Sequence, residues 1–176
     1  MEGVGITKAS TRNILINAAA YTAVDLAEDE QEKAMLINGD ALEIISKVCH
    51  QKNALLIHVS TDYVFGKVEP IPVVESHPTN PTSVYGKTKL QGELNIQNNL
   101  SDYIIIRTSW LYGAEGHNFL NTMLRFGQER DELTVVYDQV GSPTLVDELA
   151  EAILHIVDLP QEKQKAGVYH FSNEGV

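Results

Sequence analysis

The segment Tyr85-Gly-Lys-Thr-Lys89 sets a phenol and an ammonium four residues apart, and on a helix that spacing brings both side chains to one face. A free phenol, with a pKa of about 10, is too weak an acid to be poised at neutral pH. A nearby ammonium stabilises the phenolate and makes the phenol a usable general acid or base. Spacing alone is a weak signal, because seven tyrosines and nine lysines in 176 residues produce roughly 0.36 such pairs by chance. A second copy indeed stands at Tyr63 and Lys67. That copy runs through Val-Phe-Gly after an apolar run, so its side chains need not meet; it reads as a strand-end aromatic and a solvated lysine. Tyr85 and Lys89, opening a helix, are the catalytic candidates.

Three further groups could work with them. Ser60-Thr61-Asp62-Tyr63 follows the apolar run LLIHVS and puts hydroxyls and a carboxylate at its end. A hydroxyl there can hydrogen-bond and polarise a substrate carbonyl, or it can simply cap the turn that follows. Asn17-Ala-Ala-Ala-Tyr-Thr22 ends another apolar run with three small residues, which admit a flat ring or ribose close to the backbone but are equally common in plain packing. Trp110, the single tryptophan, follows IIIRTS; it could stack on a base or sugar ring, or belong to the core.

These groups need a scaffold that brings chain segments far apart in sequence to one edge. The apolar pattern predicts strands at Asn13–Ala18, Leu55–Ser60, Tyr103–Thr108, Leu133–Val136 and Val168–Phe171. Between them it predicts helices over Glu32–Gln51, Val84–Asn98, Asn118–Gly127 and Val146–Val157. The Pro-, Thr- and Asn-rich stretch 70–83 is a loop, and Pro81-Thr82-Ser83 supplies a cap for the helix after it. Such alternation means an α/β fold, a Rossmann-like doubly wound parallel sheet, which binds ligands beyond the carboxyl ends of its strands. The first run, NILINA, is apolar on both faces, as suits an interior parallel strand. Only thirteen residues precede it or open it, too few for a neighbouring strand and its crossover, and no glycine-rich turn follows a first strand; Gly3 and Gly5 read as part of a tail. The expected division is a tail over 1–12 and a partial nucleotide-binding domain over 13–176, with the first βαβ portion outside this sequence. A polypeptide of these residues alone is expected to aggregate, since unpaired apolar edges recruit other strands.

Composition narrows the rest. A net charge of −11 opposes nucleic acid or anionic membrane as a partner, both of which need clustered Lys and Arg. Cys49 is the only cysteine and the six histidines show no ligand spacing, so neither an internal disulfide nor a zinc site is expected. No run approaches the ~20 apolar residues of a membrane span, and a reducing cytoplasm is the simplest setting.

Read together, NAAAYTAVDLAEDE, STDYVFG, PTSVYGKTKLQGE, RTSWLYG, NFLNTMLR, DQVGSPT and GVYHFSNEG resemble the extended short-chain dehydrogenase/reductase family, in its dTDP-4-dehydrorhamnose reductase branch. Seven ordered blocks, from about residue 13 to the end, are far more specific than any one motif. The resemblance implies reduction of a C4 keto-sugar nucleotide with NADPH or NADH, for surface polysaccharide. Tyr85 would protonate the C4 oxygen, Lys89 would hold the nicotinamide ribose and depress the Tyr85 pKa, and Thr61 takes the place of the family's catalytic hydroxyl. Thr61, Asp62 and Trp110 match positions that contact the sugar nucleotide, and Ala20, Tyr21 and Thr22, with Tyr85 and Lys89, match those lining the cofactor. The partner implied is a dTDP-sugar, and a homodimer is compatible with it. The family's glycine-rich phosphate loop and part of its C-terminal substrate lobe are absent from this sequence. Two other readings share part of this pattern. One is a sugar-nucleotide epimerase or dehydratase, which recycles bound NAD⁺. The other is a non-catalytic regulatory subunit of a methionine adenosyltransferase, a branch that tends to carry Asn where Asp62 stands.

Overall fold

The computed structural model describes residues 12–66, 71–116, 118–136 and 139–175. Four strands form a parallel sheet in the order β1-β2-β3-β6: β1 (Ile14–Asn17), β2 (Leu55–Thr61), β3 (Tyr103–Thr108) and β6 (Gly167–His170). Register runs Asn17 to His58, Thr61 to Thr108 and Arg107 to His170, so all four carboxyl ends open on the same edge. Helices cover both faces. Helices α2 (Ala41–Gln51) and α3 (Val84–Asn99) lie on one side, where Leu42, Cys49, Leu56, Ile96, Leu100 and Ile105 make a buried cluster. On the other, α5 (Val146–Asp158) sets Leu149 and Ile153 against Leu55, Ile57, Ile104 and Ile106. Consecutive β2 residues alternate between the two clusters because strand side chains alternate faces. The doubly wound architecture expected from the pattern is thus present.

Individual elements follow the sequence with instructive departures. The first helix is built in three pieces: α1 (Gln31–Met35), a π-helical stretch over Leu36–Asp40, and α2. The π stretch turns Asn38 inward, where its Oδ1 accepts from the Tyr21 N–H at 2.8 Å and its Nδ2 donates to the Tyr21 carbonyl at 3.1 Å. A widened turn of this kind re-aims one side chain without ending the helix. At α3 the cap falls where the sequence places it, with Ser83 Oγ accepting from the Gly86 N–H at 3.1 Å. Helix α4 (Phe119–Glu129) begins on Asn118, whose Oδ1 accepts from the Asn121 N–H at 2.9 Å.

One expectation is corrected. Leu133–Val136 is no strand: it is irregular, with Val135 and Val136 44% and 67% exposed. A short apolar run becomes a strand only with a ladder partner and a face to bury, and here it has neither among the described residues. NILINA does form a strand, but β1 pairs with β2 alone among the described residues, and Leu15 and Ile16 are 37% and 45% exposed. Its apolar faces are therefore partly uncovered, as expected of an interior-type strand with a neighbour on one side only. The pattern also missed a second sheet of two short parallel strands, β4 (Leu111–Tyr112) and β5 (Thr144–Leu145). Residues 1–11, with Gly3 and Gly5, lie outside the described residues, as does Lys67 of the second Tyr/Lys pair.

Candidate active site at the carboxyl edge of the sheet

Thr61 is the last residue of β2 and also caps the short 3₁₀ turn Asp62–Phe65, its Oγ1 accepting from the Tyr63 N–H at 3.2 Å. The same hydroxyl donates to Asp62 Oδ1 at 3.1 Å and lies near enough to the Tyr85 phenol to influence its pKa. A hydroxyl has one proton and two lone pairs. With the proton given to Asp62, Thr61 keeps its lone pairs for the Tyr63 N–H and whatever else approaches it. Of the two alternatives open for Thr61 in the sequence, the cap is thus present, at an oxygen that also stands on the carboxyl edge of the sheet.

Tyr85 reaches this point because α3 starts tight against the turn. A side chain at Gly86 would place its Cβ 2.5 Å from the Tyr63 carbonyl oxygen, so only glycine permits the approach. The Tyr63 and Tyr85 rings then meet edge to face, with centroids 5.5 Å apart. Burial pushes the Tyr85 phenol above its ordinary pKa, the nearby Thr61 hydroxyl pulls it down, and Asp62 and Tyr63 add to the rise. At neutral pH Tyr85 is a protonated donor. Burial likewise raises the Asp62 carboxyl, partly offset by its bonds from Thr61 and the backbone.

Lys89 is 2% exposed. Its Nζ donates to the Val59 carbonyl at 2.7 Å and lies 3.3 Å from His58 Nε2. Burial lowers its pKa from 10.5 to about 8, against the pull of Glu93. Lys89 thus shares the buried face of α3 with Tyr85 while its ammonium is held by β2.

Behind this pair stands a polar layer that the sequence reading did not single out. His58, Ser60 and Arg107 project from β2 and β3 toward α3. There Glu93 takes two hydrogen bonds from Arg107, Nη2 to Oε2 at 2.7 Å and Nε to Oε1 at 3.0 Å, and a third from Ser60 Oγ. Glu93 is fully buried and Arg107 is 6% exposed. Their signal was legible: His58 and Arg107 interrupt otherwise apolar strands, and Glu93 lies four residues beyond Lys89. Because Thr88, Lys89 and Glu93 sit on the buried face, α3 lacks the plain apolar stripe by which helices are usually recognised.

The remaining candidates separate. Tyr21 is a core residue, packed with Ala27, Ala34 and Val84, and its hydroxyl donates to Glu30 Oε2 at 2.8 Å. Ala20 is half-buried and Thr22 exposed, so the neighbours of Tyr21 rather than its ring face the edge. Trp110 is 43% exposed and is no core tryptophan. Its carbonyl accepts from the Thr144 N–H at 3.2 Å, and its indole lies on Gly141, where an added Cβ would fall 2.8 Å from the ring. Its φ of 47° is a left-handed conformation that costs a non-glycine residue roughly 1–2 kcal/mol. Two residues beyond Thr108, the register partner of Thr61, it stands on the same edge as the Thr61–Tyr85 pair.

Together these features define the class: a doubly wound α/β domain of the extended short-chain dehydrogenase/reductase kind, with its Tyr/Lys pair and hydroxyl at the carboxyl edge. The chain belongs to the RmlD substrate binding domain family, which it matches over residues 5–176. It is 46% identical over 176 residues to the dTDP-4-dehydrorhamnose reductase of Escherichia coli K12, covering 99% of this chain and 59% of that protein. To the spore coat polysaccharide biosynthesis protein SpsK of Bacillus subtilis it is 43% identical over 164 residues, 93% of this chain and 56% of the other. A dTDP-4-dehydrorhamnose reductase from Bacillus anthracis, solved in complex with NADP, superposes with a TM-score of 0.86 at 41% identity, covering 93% of this chain and 57% of that one. The chain therefore spans somewhat over half the length of the relatives it matches. UDP-glucose 4-epimerase from Brucella ovis, 20% identical, shares the fold at a TM-score of 0.74.

Proposed function

We propose that this chain carries the proton-donating half of an NAD(P)H-dependent reductase that converts dTDP-4-dehydro-L-rhamnose to dTDP-L-rhamnose. The observation that carries the reading is the Tyr85 phenol standing beside Thr61 at the carboxyl edge of β2, in a chain 39–46% identical to relatives named for that reduction. The nicotinamide cofactor supplies a hydride to the C4 carbon of the sugar. Tyr85 then gives its proton to the C4 oxygen, so the ketone gains two electrons and two hydrogens and becomes an alcohol. The Thr61 hydroxyl, turned from Asp62 toward the substrate, donates to the same oxygen as charge develops there. With the cofactor bound, Lys89 would hold the nicotinamide ribose. Exposed Ala18 and Ala19 beside Asn17 leave the β1 end low enough for a ribose or ring to approach, and Thr22 offers a hydroxyl nearby, so the residues present fit the cofactor. Asp62 and the exposed face of Trp110 contact the sugar nucleotide. Among the described residues no helix is long and apolar enough to cross a membrane.

The test is direct. The intact protein is mixed with dTDP-4-dehydro-L-rhamnose and either NADPH or NADH, and nicotinamide absorbance and product are followed together. One reduced nicotinamide oxidised per dTDP-L-rhamnose formed is the expected result. Conversion of the sugar without net oxidation would replace this reading with an epimerase or dehydratase cycle.

A further inference from the structure

Asp62 reaches the edge of the sheet on a turn too short to fix its own place. The 3₁₀ turn Asp62–Phe65 has four residues, and hydrogen bonds within such a turn have poor geometry. Thr61 caps its start, and the Val64 carbonyl accepts from the Asn80 N–H at 3.0 Å. Its far end is anchored by Phe65, which is 5% exposed. Arg107 of β3 and His170 of β6 are register partners on neighbouring strands, so their side chains leave the same face of the sheet. Both close on the Phe65 ring. The Arg107 guanidinium lies over it, 5.0 Å from the centroid, and the His170 imidazole meets it edge to face at 5.5 Å. His77 takes a third side at 5.8 Å.

The same histidine fastens the loop residues that lead into α3. Its backbone N–H donates to Glu75 Oε1 at 3.2 Å, and its Nδ1 lies 3.1 Å from the Val73 carbonyl. A carbonyl only accepts, so the ring carries its proton on Nδ1. Burial holds the ring below the ordinary histidine pKa, although Glu75 and the Val73 bond pull it upward. Near pH 7 His170 is therefore neutral and acts by contact rather than by charge. Arg107 Nη1 donates to the Glu75 carbonyl at 3.4 Å and ties the same loop to β3.

We propose that His170 is a positioning residue for Asp62: by packing on Phe65 and pinning Val73 and Glu75, it sets where the Asp62–Phe65 turn stands at the carboxyl edge. Thr61 is held separately, by the ladder between β2 and β3, and Tyr85 by the Ser83-capped start of α3. Loosening the turn therefore displaces Asp62 and spares the proton donor. That Asp62 contacts the sugar nucleotide rests on the function proposed above, whereas the hold of His170 on the turn does not.

Amide hydrogen exchange on the intact protein reads the turn without any turnover. In His170→Ala, amides over residues 61–66 and 73–80 should exchange about tenfold faster, while those of β2 over residues 55–59 keep their rates. His170→Asn puts an amide N–H donor in place of Nδ1 and should restore most of the protection over residues 73–80. In the reductase assay His170→Ala should raise KM for dTDP-4-dehydro-L-rhamnose about tenfold and change kcat by less than about threefold. A double-mutant cycle then tests the route. In an Asp62→Ala background the same His170 substitution should raise KM by less than about threefold, because the group it positions is gone. Equal KM penalties in both backgrounds, a loss confined to kcat, or unchanged exchange in the turn overturns the proposal. Should His170→Ala fail to fold, His170→Phe keeps a ring against Phe65, loses the donor to Val73, and carries the same comparisons. If the wild type reduces no dTDP-sugar, the proposed function fails, and the exchange rates still decide whether His170 holds the turn.

Discussion

Replacing Lys89 by methionine deletes the amine and keeps most of the stem. Its consequence for stability has a sign that can be worked out. In the folded chain burial lowers the Lys89 pKa from 10.5 to about 8. Between those values the unfolded chain holds a proton that the folded one has released, so stability rises with pH across this window and is lowest below about 8. The full cost at neutral pH is about 3 kcal/mol, of which roughly 2 kcal/mol is relieved between about pH 7.5 and pH 9.5. Lys89→Met removes this dependence and leaves His58 Nε2 and the Val59 carbonyl without the partner Lys89 supplies, a loss of about 1–3 kcal/mol for each that does not change with pH. The absolute stability of the variant mixes both effects, but the pH slope does not. Urea unfolding of the intact wild-type protein and of Lys89→Met, measured at about pH 7.5 and pH 9.5, should show the wild type gaining roughly 2 kcal/mol on the variant as pH rises. Parallel unfolding free energies across that interval would mean that Lys89 is not a depressed, buried lysine and would refute the reasoning.

Tyr85→Phe should lower kcat by about 100-fold or more, the loss of a general acid, while Tyr63→Phe, whose ring only packs edge-on against Tyr85, should cost far less in the same steady-state assay; equal losses would remove the assignment. Trp110→Ala should raise KM for the sugar nucleotide by about 1–3 kcal/mol of binding and leave cofactor affinity, read by nicotinamide fluorescence, nearly unchanged. Glu93→Gln should destabilise the protein by about 3–5 kcal/mol in denaturant unfolding, because Arg107 is left buried opposite a neutral amide. A smaller loss would show water reaching that pair.

Element by element, what was legible depended on how local its cause is. The Tyr103–Thr108 strand, the Ser83 cap and the helix from Val84 are written in short-range chemistry, and the structure reproduces them within a residue. The strand expected at Leu133–Val136 failed because pairing is not a local property: the apolar run is there, but no partner strand is found among the described residues. The two-residue strands beside Trp110 were invisible for the opposite reason, being too short to carry a period and existing only where β4 meets β5. At the site, the spacing of Tyr85 and Lys89 and the STDY block stood out, because those residue types at one edge have few other uses.

Sequence alone determined that this is a doubly wound α/β chain, that Tyr85 and Lys89 share a helical face, and that Thr61, Asp62 and Trp110 follow strands that end at one edge. Periodicity and parallel topology dictate each of these, whatever the side chains then do. The tertiary structure alone decided what each side chain faces. It turned the Tyr21 ring into the core, laid the Trp110 indole on Gly141, and held Lys89 against Val59 and His58. Ionisation follows from those surroundings. Spacing suggested an ammonium that would lower the Tyr85 pKa, whereas burial raises the phenol and depresses the lysine, because removing a charge from water outweighs helical proximity when the neighbours of each group come from other strands.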